Sequence, residues 1–167
     1  MAAMQLLFPS TFKVLTYNIH ALHPLIAGDD PHFRVPKILE KSIDYDFIFI
    51  QENWIYDDDY LDKLLPSHQF IVSDKSKFFW PLNYLINANG SGLTMIVSDE
   101  YKVLNFHEEK FNYCNGWFSD ANDCLGSKGF QHIQIEISGR RVDFYNTHLD
   151  AGNSKADIST RQKQVIH

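Results

Sequence analysis

No apolar stretch in the sequence comes near the roughly 18 consecutive residues that a membrane-spanning helix needs, so no transmembrane segment is expected. Positive charge is also in short supply. Fifteen Lys and Arg against 21 Asp and Glu leave a net charge of −6, and a pI near 5.7 supplies no field that draws the chain onto duplex DNA, which disfavours a nucleic-acid partner. Two cysteines, Cys114 and Cys124, sit ten apart in a polar loop with no further Cys to complete a zinc set, so they are either disulfide-bonded or free thiols. The apolar patch Leu6, Leu7, Phe8 has no Lys or Arg before it, which makes residues 1–11 a poor secretory signal. They read as a leader segment, with the cytoplasm as the default compartment. Asn89-Gly90-Ser91 fits a glycosylation acceptor, which matters only in a secretory pathway. No Gly-rich nucleotide loop, Walker sequence or Gly-x-Ser-x-Gly elbow occurs. What the chain does have is aromatic residues, 14% of 167, and enough length for one domain with a sizeable core.

Periodicity gives the elements. Residues 12–18 (FKVLTYN) alternate as a first strand, and residues 44–52 (DYDFIFIQE) carry Phe47, Ile48, Phe49 and Ile50 without interruption, the pattern of a central strand covered on both faces. Between them, residues 31–43 place Val35, Ile38, Leu39 and Ile43 at helical offsets, with Pro31 and Pro36 tolerable only near the first turn. A helical turn at 60–65 and a strand at 69–73 follow, and Gly90-Ser91-Gly92 breaks the chain before the next strand. Residues 93–98 and 101–107, separated by Asp99 and Glu100, predict an antiparallel hairpin; residues 129–137 and 141–147 predict a second one with one buried face. Ser154 with Asp157 three residues on marks a helix start. Seven strands and three helices make an α+β layered fold.

Three polar side chains end three apolar strands: Asn18 after KVLTY, Glu52 after DFIFIQ and His148 after VDFYNT. A carboxylate, an amide and an imidazole delivered by a rigid sheet suit a hard cation and a phosphate, since magnesium takes oxygen ligands and keeps several waters. Asp57-Asp58-Asp59 precede Leu61, Leu64 and Leu65 and read as the acidic start of a helix rather than a metal cluster. His20 and His23 lie in what reads as a loop before Pro24 with no third ligand nearby, and are left out of the site.

KVLTYNIH, DFIFIQEN, SGLTMIVSDEY and VDFYNTHLD, in this order, resemble the first half of the endonuclease/exonuclease/phosphatase superfamily, whose fold is that of deoxyribonuclease I. The resemblance covers about residues 12–167 and implies the N-terminal portion of one domain: a four-layer α/β/β/α sandwich, truncated, because the family's Gly-Asp-x-Asn and Ser-Asp-His motifs do not occur. It implies that Glu52 binds Mg2+, with Mn2+ as a substitute, that Asn18 lies near metal and phosphate, and that His148 contacts the phosphate or assists the leaving group. Asp123-Cys124-Leu125-Gly126-Ser127-Lys128-Gly129 is similar to the loop of neutral sphingomyelinases, which adds Asp123 and Lys128 to the catalytic candidates and makes Lys128 a substrate-binding candidate as well. Asp157, Arg161 and Gln164 share one side of the last helix; Arg161 is a substrate-binding candidate, and a solvated face with an ordinary ion pair is the plainer reading.

The expected function is thus a magnesium-dependent phosphodiesterase acting on a phospholipid, sphingomyelin in particular. Phe78, Phe79 and Trp80, next to Lys75 and Lys77, either touch a membrane surface transiently or pack over the sheet. The rivals are a nuclease or phosphoinositide phosphatase of the same fold, and an inactive fragment that serves as a binding module.

Overall fold

A computed structural model describes residues 11–24, 28–74, 90–116, 123–124 and 126–166. Residues 1–10 of the expected leader segment 1–11, the aromatic triplet Phe78, Phe79 and Trp80, and Asn89 of the acceptor sequence lie outside the described residues. Seven strands and three helices are found among those described. One sheet has the order β1-β2-β4-β3, from β1 (Val14–Ala21), β2 (Phe47–Asn53), β3 (His68–Val72) and β4 (Thr94–Ser98). The other has the order β5-β6-β7, from β5 (Val103–Lys110), β6 (Gly129–Ile137) and β7 (Arg140–Thr147).

The uninterrupted apolar run of β2 is explained by a core on each side of it. Ile48 and Ile50 face a cluster with Ile96 of β4 and with Val35, Leu39 and Leu61, which come from helices α1 (Pro31–Glu40) and α2 (Asp58–Asp62). Phe47 and Phe49 face the opposite way, with Met95 and Val97, onto Ile133, Ile135 and Ile137 of β6 and Val142 and Phe144 of β7. The layers are helices, first sheet, second sheet. Among them the fully buried aliphatic side chains, such as Ile48, Leu39, Ile96 and Ile133, contribute about 1.5–3 kcal/mol each relative to exposure.

Asp57 caps α2 by accepting from the Tyr60 N–H, and Asp58 and Asp59 occupy its first turn, as the acidic run predicts. Helix α1 starts on Asp30 with Pro31 in its first turn, but Pro36 sits inside it, where the ring supplies no N–H to the preceding turn. The predicted hairpin of β4 and β5 does not form: β4 pairs with β2 and β3, whereas β5 pairs with β6. The turn at Asp99 and Glu100 is real, closed by Tyr101 N–H donating to Ser98 O at 3.0 Å. Tyr101 then plunges between the sheets against Phe47, ring centroids 4.8 Å apart, and carries the chain from one sheet to the other. The β6–β7 hairpin forms as expected, with Ile133, Ile135 and Ile137 inward and His132, Gln134 and Glu136 outward.

Among the described residues, no helix is long and apolar enough to cross a membrane.

Candidate functional site

The parallel pairing of β1 with β2 is regular from Val14–Phe47 to Asn18–Gln51, then slips, so that Ala21 pairs with Asn53. Three residues on β1 therefore span two on β2, a bulge of the kind that re-aims side chains at strand ends. Within it His20 has φ 46° and Glu52 has φ 59°, left-handed conformations that a side-chain-bearing residue adopts at a cost of about 1 kcal/mol or more. The effect is to gather Asn18, His20 and Glu52 at one point. Asn18 Nδ2 donates to Glu52 Oε1 at 2.8 Å, the His20 N–H donates to Asn18 Oδ1 at 2.9 Å, and His20 Nδ1 stands 2.8 Å from Glu52 Oε2. His20 is therefore not in a loop apart from the site. Strand β1 runs on past the alternating segment, and Arg34 of α1 holds the bulge by donating to the carbonyls of Ile19 and His20 while pairing with Asp29.

His148 comes from the end of β7, with Nε2 3.8 Å from Glu52 Oε1. Asn146 brings that strand end to the first sheet. Its Nδ2 donates to Ile50 O at 2.9 Å and Thr94 O at 3.3 Å, and its Oδ1 accepts from Gln51 Nε2 at 2.7 Å. Burial is the largest single influence on Glu52 and raises its carboxyl, but the hydrogen bonds from Asn18 and His20 and the charge of His148 outweigh it, leaving the carboxyl below its ordinary value. His148 is also shifted down, first by burial and then by the charge of Lys128, against the pull of Glu52 and Asp123. Its Nδ1 is buried without a hydrogen-bond partner among the described residues, so no contact there fixes the imidazole tautomer.

Lys128 and Asp123 form a buried ion pair at 2.8 Å, their side chains 7% and 4% exposed. Lys128 Nζ also donates to Leu149 O at 3.0 Å, and Asp123 Oδ2 accepts from the Ala151 N–H at 2.6 Å. The pair clasps the backbone that follows His148. Helix α3 (Lys155–Val165) does the same from the other side, which overturns the expectation of a solvated helix face. Asp157 and Gln164 are buried; Asp157 Oδ1 accepts from Asn115 Nδ2, and Gln164 joins Asp150 to the carbonyl of Tyr113. Arg161 spends its Nη1 on the carbonyls of Asp150, Ala151 and Gly152. Cys114 and Cys124 are joined as a disulfide, closing the loop that carries Asn115 and Asp123.

No protein-family model matches the sequence, and no curated protein matches it. Solved structures do. A β-hairpin deletion mutant of beta toxin from Staphylococcus aureus superposes with a TM-score of 0.65 at 20% identity, over 93% of this chain and 59% of that one. Sphingomyelinase C from Streptomyces griseocarneus gives 0.61 at 20% identity, over 92% and 55%, and TDP2 from C. elegans gives 0.64 at 20% identity, over 92% and 40%. The fold is deoxyribonuclease I-like. It is the fold of the endonuclease/exonuclease/phosphatase superfamily, to which these neighbours belong. The chain spans 59%, 55% and 40% of the three neighbours' own lengths.

Within this deoxyribonuclease I-like frame, Asn18, Glu52 and His148 come together, although Asn18 sits inside β1, which runs on to Ala21, and not at its end, and Asp123 with Lys128 packs behind His148. Arg161 lies against the 150–152 backbone on that same side. Among the described residues, no three His, Cys, Asp or Glu side chains stand close enough together to hold a metal ion by themselves. The donor set nevertheless fits one hard cation. The Glu52 carboxyl is held below its ordinary value and is 19% exposed, the Asn18 amide turns its N–H toward that carboxylate and its oxygen toward the His20 N–H, and such an ion needs a single protein carboxylate when water and substrate phosphate complete its shell.

The sequence reading missed His20, Arg34 and Asn146. The available signals were an Asn at the inward position of an otherwise alternating β7, after Val142 and Phe144, and an Arg on α1, the helix between β1 and β2.

Proposed function

We propose that this chain carries the metal-binding half of a phosphodiesterase active site whose substrate is a phospholipid, sphingomyelin, cleaved to ceramide and phosphocholine, with Mg2+ or Mn2+ as cofactor. The observation that carries the reading is the Glu52 carboxylate, fixed by Asn18 and His20 in the β1–β2 bulge and faced by His148 from the end of β7. Lipid as the substrate class draws its support from the Asp123 to Lys128 loop and from the likeness to a sphingomyelinase C. The complete domain of this reading is the four-layer α/β/β/α sandwich.

Glu52 would hold the cation, with the remaining lone pair of Asn18 Oδ1, which also accepts from the His20 N–H, as the amide's contribution. When bound, that cation supplies Lewis-acid polarisation of a phosphoryl oxygen. Asn18 Nδ2 and the third N–H of Lys128 donate to charge growing on the phosphate as water attacks in line. Burial and Lys128 keep His148 neutral to lower pH than usual, so its Nε2 is suited to pass a proton at the phosphate or the leaving oxygen. Arg161 and Asp123 act by holding the 150–152 backbone. Transient contact of Phe78, Phe79 and Trp80 with the bilayer surface belongs to the same proposal.

A second reading, a phosphodiesterase for another phosphoester, has the likeness to TDP2 behind it. The two separate in one experiment: phosphocholine release from sphingomyelin vesicles and nicking of plasmid DNA, each with and without Mg2+. Magnesium-dependent release of phosphocholine is the expected result. Nicking without phosphocholine release would move the assignment to the second reading, and neither activity would return the chain to a binding role.

A further inference from the structure

We propose that His20 is itself a cation ligand, its Nδ1 joining the Glu52 carboxylate, and that this nitrogen moves the site's preference from Mg2+ toward first-row transition metals, Mn2+ among them. The inference rests on the metal role proposed for Glu52.

The two donors are spaced for a shared cation. Two donors on adjacent corners of an octahedron with bonds of about 2.1 Å stand about 3.0 Å apart, and His20 Nδ1 lies 2.8 Å from Glu52 Oε2. A cation seated between them needs an adjustment of a few tenths of an ångström. The backbone is committed to the same arrangement. Both residues occupy left-handed conformations, φ 46° and 59°, facing each other across the same bulge, and neither is glycine. Strain of that kind persists where the surroundings over-determine it, and here Arg34 grips the carbonyls on both sides of the His20 N–H while that N–H is held by Asn18. The ring is placed with the care usually given to a ligand. His20 is also the more accessible imidazole: its side chain is 50% exposed, against 24% for His148, whose Nε2 is 3.8 Å from the other carboxylate oxygen.

Coordination uses the Nδ1 lone pair, so the bound form is the tautomer with its proton on Nε2, and any proton shared between Nδ1 and Glu52 moves there or to water as the ion enters. Magnesium gains little from replacing an oxygen ligand by imidazole, whereas first-row transition ions accept it readily.

The test uses Mn2+ as the probe on the protein and its variants, with pulsed electron paramagnetic resonance to detect directly bonded 14N and a competition titration to compare Mn2+ with Mg2+. His20→Asn is the main variant, because asparagine tolerates left-handed backbone and offers oxygen in place of nitrogen; His20→Gly covers the case in which that side chain disturbs the fold. Wild type is expected to show nitrogen coupling that both variants lose and His148→Ala retains. The Mn2+ dissociation constant should rise about tenfold in His20→Asn while that of Mg2+ moves less than about twofold. If Mn2+ binds and Glu52→Gln weakens it, yet nitrogen coupling survives in both His20 variants or the Mn2+/Mg2+ ratio is unchanged, the inference is wrong and the role of Glu52 stands. Mn2+ binding indifferent to Glu52→Gln would remove both.

Discussion

Replacing Asn146 by alanine severs the polar link that seats β7, and with it His148, on the first sheet. Asn146 is buried and makes three hydrogen bonds, to Ile50 O, to Thr94 O and from Gln51 Nε2. At about 1 kcal/mol net for each such bond, the loss is about 3 kcal/mol, which for a chain of this length corresponds to a fall in Tm of roughly 6–12 °C. Asn146→Asp should be worse despite its matching shape. Its carboxylate puts oxygen, with no N–H, against two carbonyls, and a buried uncompensated charge costs several kcal/mol. The assay is urea unfolding followed by far-ultraviolet circular dichroism, with Tyr145→Phe as a control because Tyr145 points outward and is exposed. A midpoint for Asn146→Ala within about 0.5 kcal/mol of wild type, at unchanged m, would refute the claim that this amide joins the sheets.

Three further outcomes follow from the same geometry. Gly92 has φ 70°, and a Cβ added there comes 2.8 Å from Trp54 Cε2, so Gly92→Ala should destabilise by about 2 kcal/mol and shift the tryptophan emission to the red; an unshifted spectrum with full stability would contradict the packing. Ser154 and Asp157 form a reciprocal capping box at the start of α3, and Ser154→Ala should cost about 1 kcal/mol in thermal unfolding, with no loss counting against it. His148 should titrate below the ordinary histidine value of 6.5, with burial first and Lys128 second among the causes, so Lys128→Met raises its midpoint because it removes a repelling cation and frees Asp123 to attract. A midpoint that stays or falls in proton NMR of the imidazole would show that the two groups do not interact as described.

Much of this architecture was legible where periodicity is unambiguous. The apolar run 47–50 reads correctly as a doubly covered strand, and the strict alternation of 129–137 with 141–147 reads correctly as a hairpin, because one-residue shifts there would expose the core. The pair 93–98 and 101–107 misleads because a two-residue separation marks a turn without saying which sheet the chain enters next; burial of Tyr101 decides that. Glu52, Asn18 and His148 were visible as polar ends of apolar strands. His20 was not, since a bulge that puts it on Glu52 depends on left-handed backbone at two non-glycine residues, for which composition and spacing carry no signal. Likewise, Asp157, Arg161 and Gln164 lie on the helix side that polarity assigns to solvent, but the disulfide-closed loop and the 150–152 backbone cover it.

The central claim, that the Glu52 cluster is the phosphodiester site, is tested most directly by the Mg2+-dependent rate of phosphocholine release from sphingomyelin in Glu52→Gln against wild type. That exchange keeps the side chain's size and removes the charge, and the account predicts a loss of at least about 100-fold in the magnesium-dependent rate. A Glu52→Gln protein that retains the wild-type rate and magnesium response would contradict it.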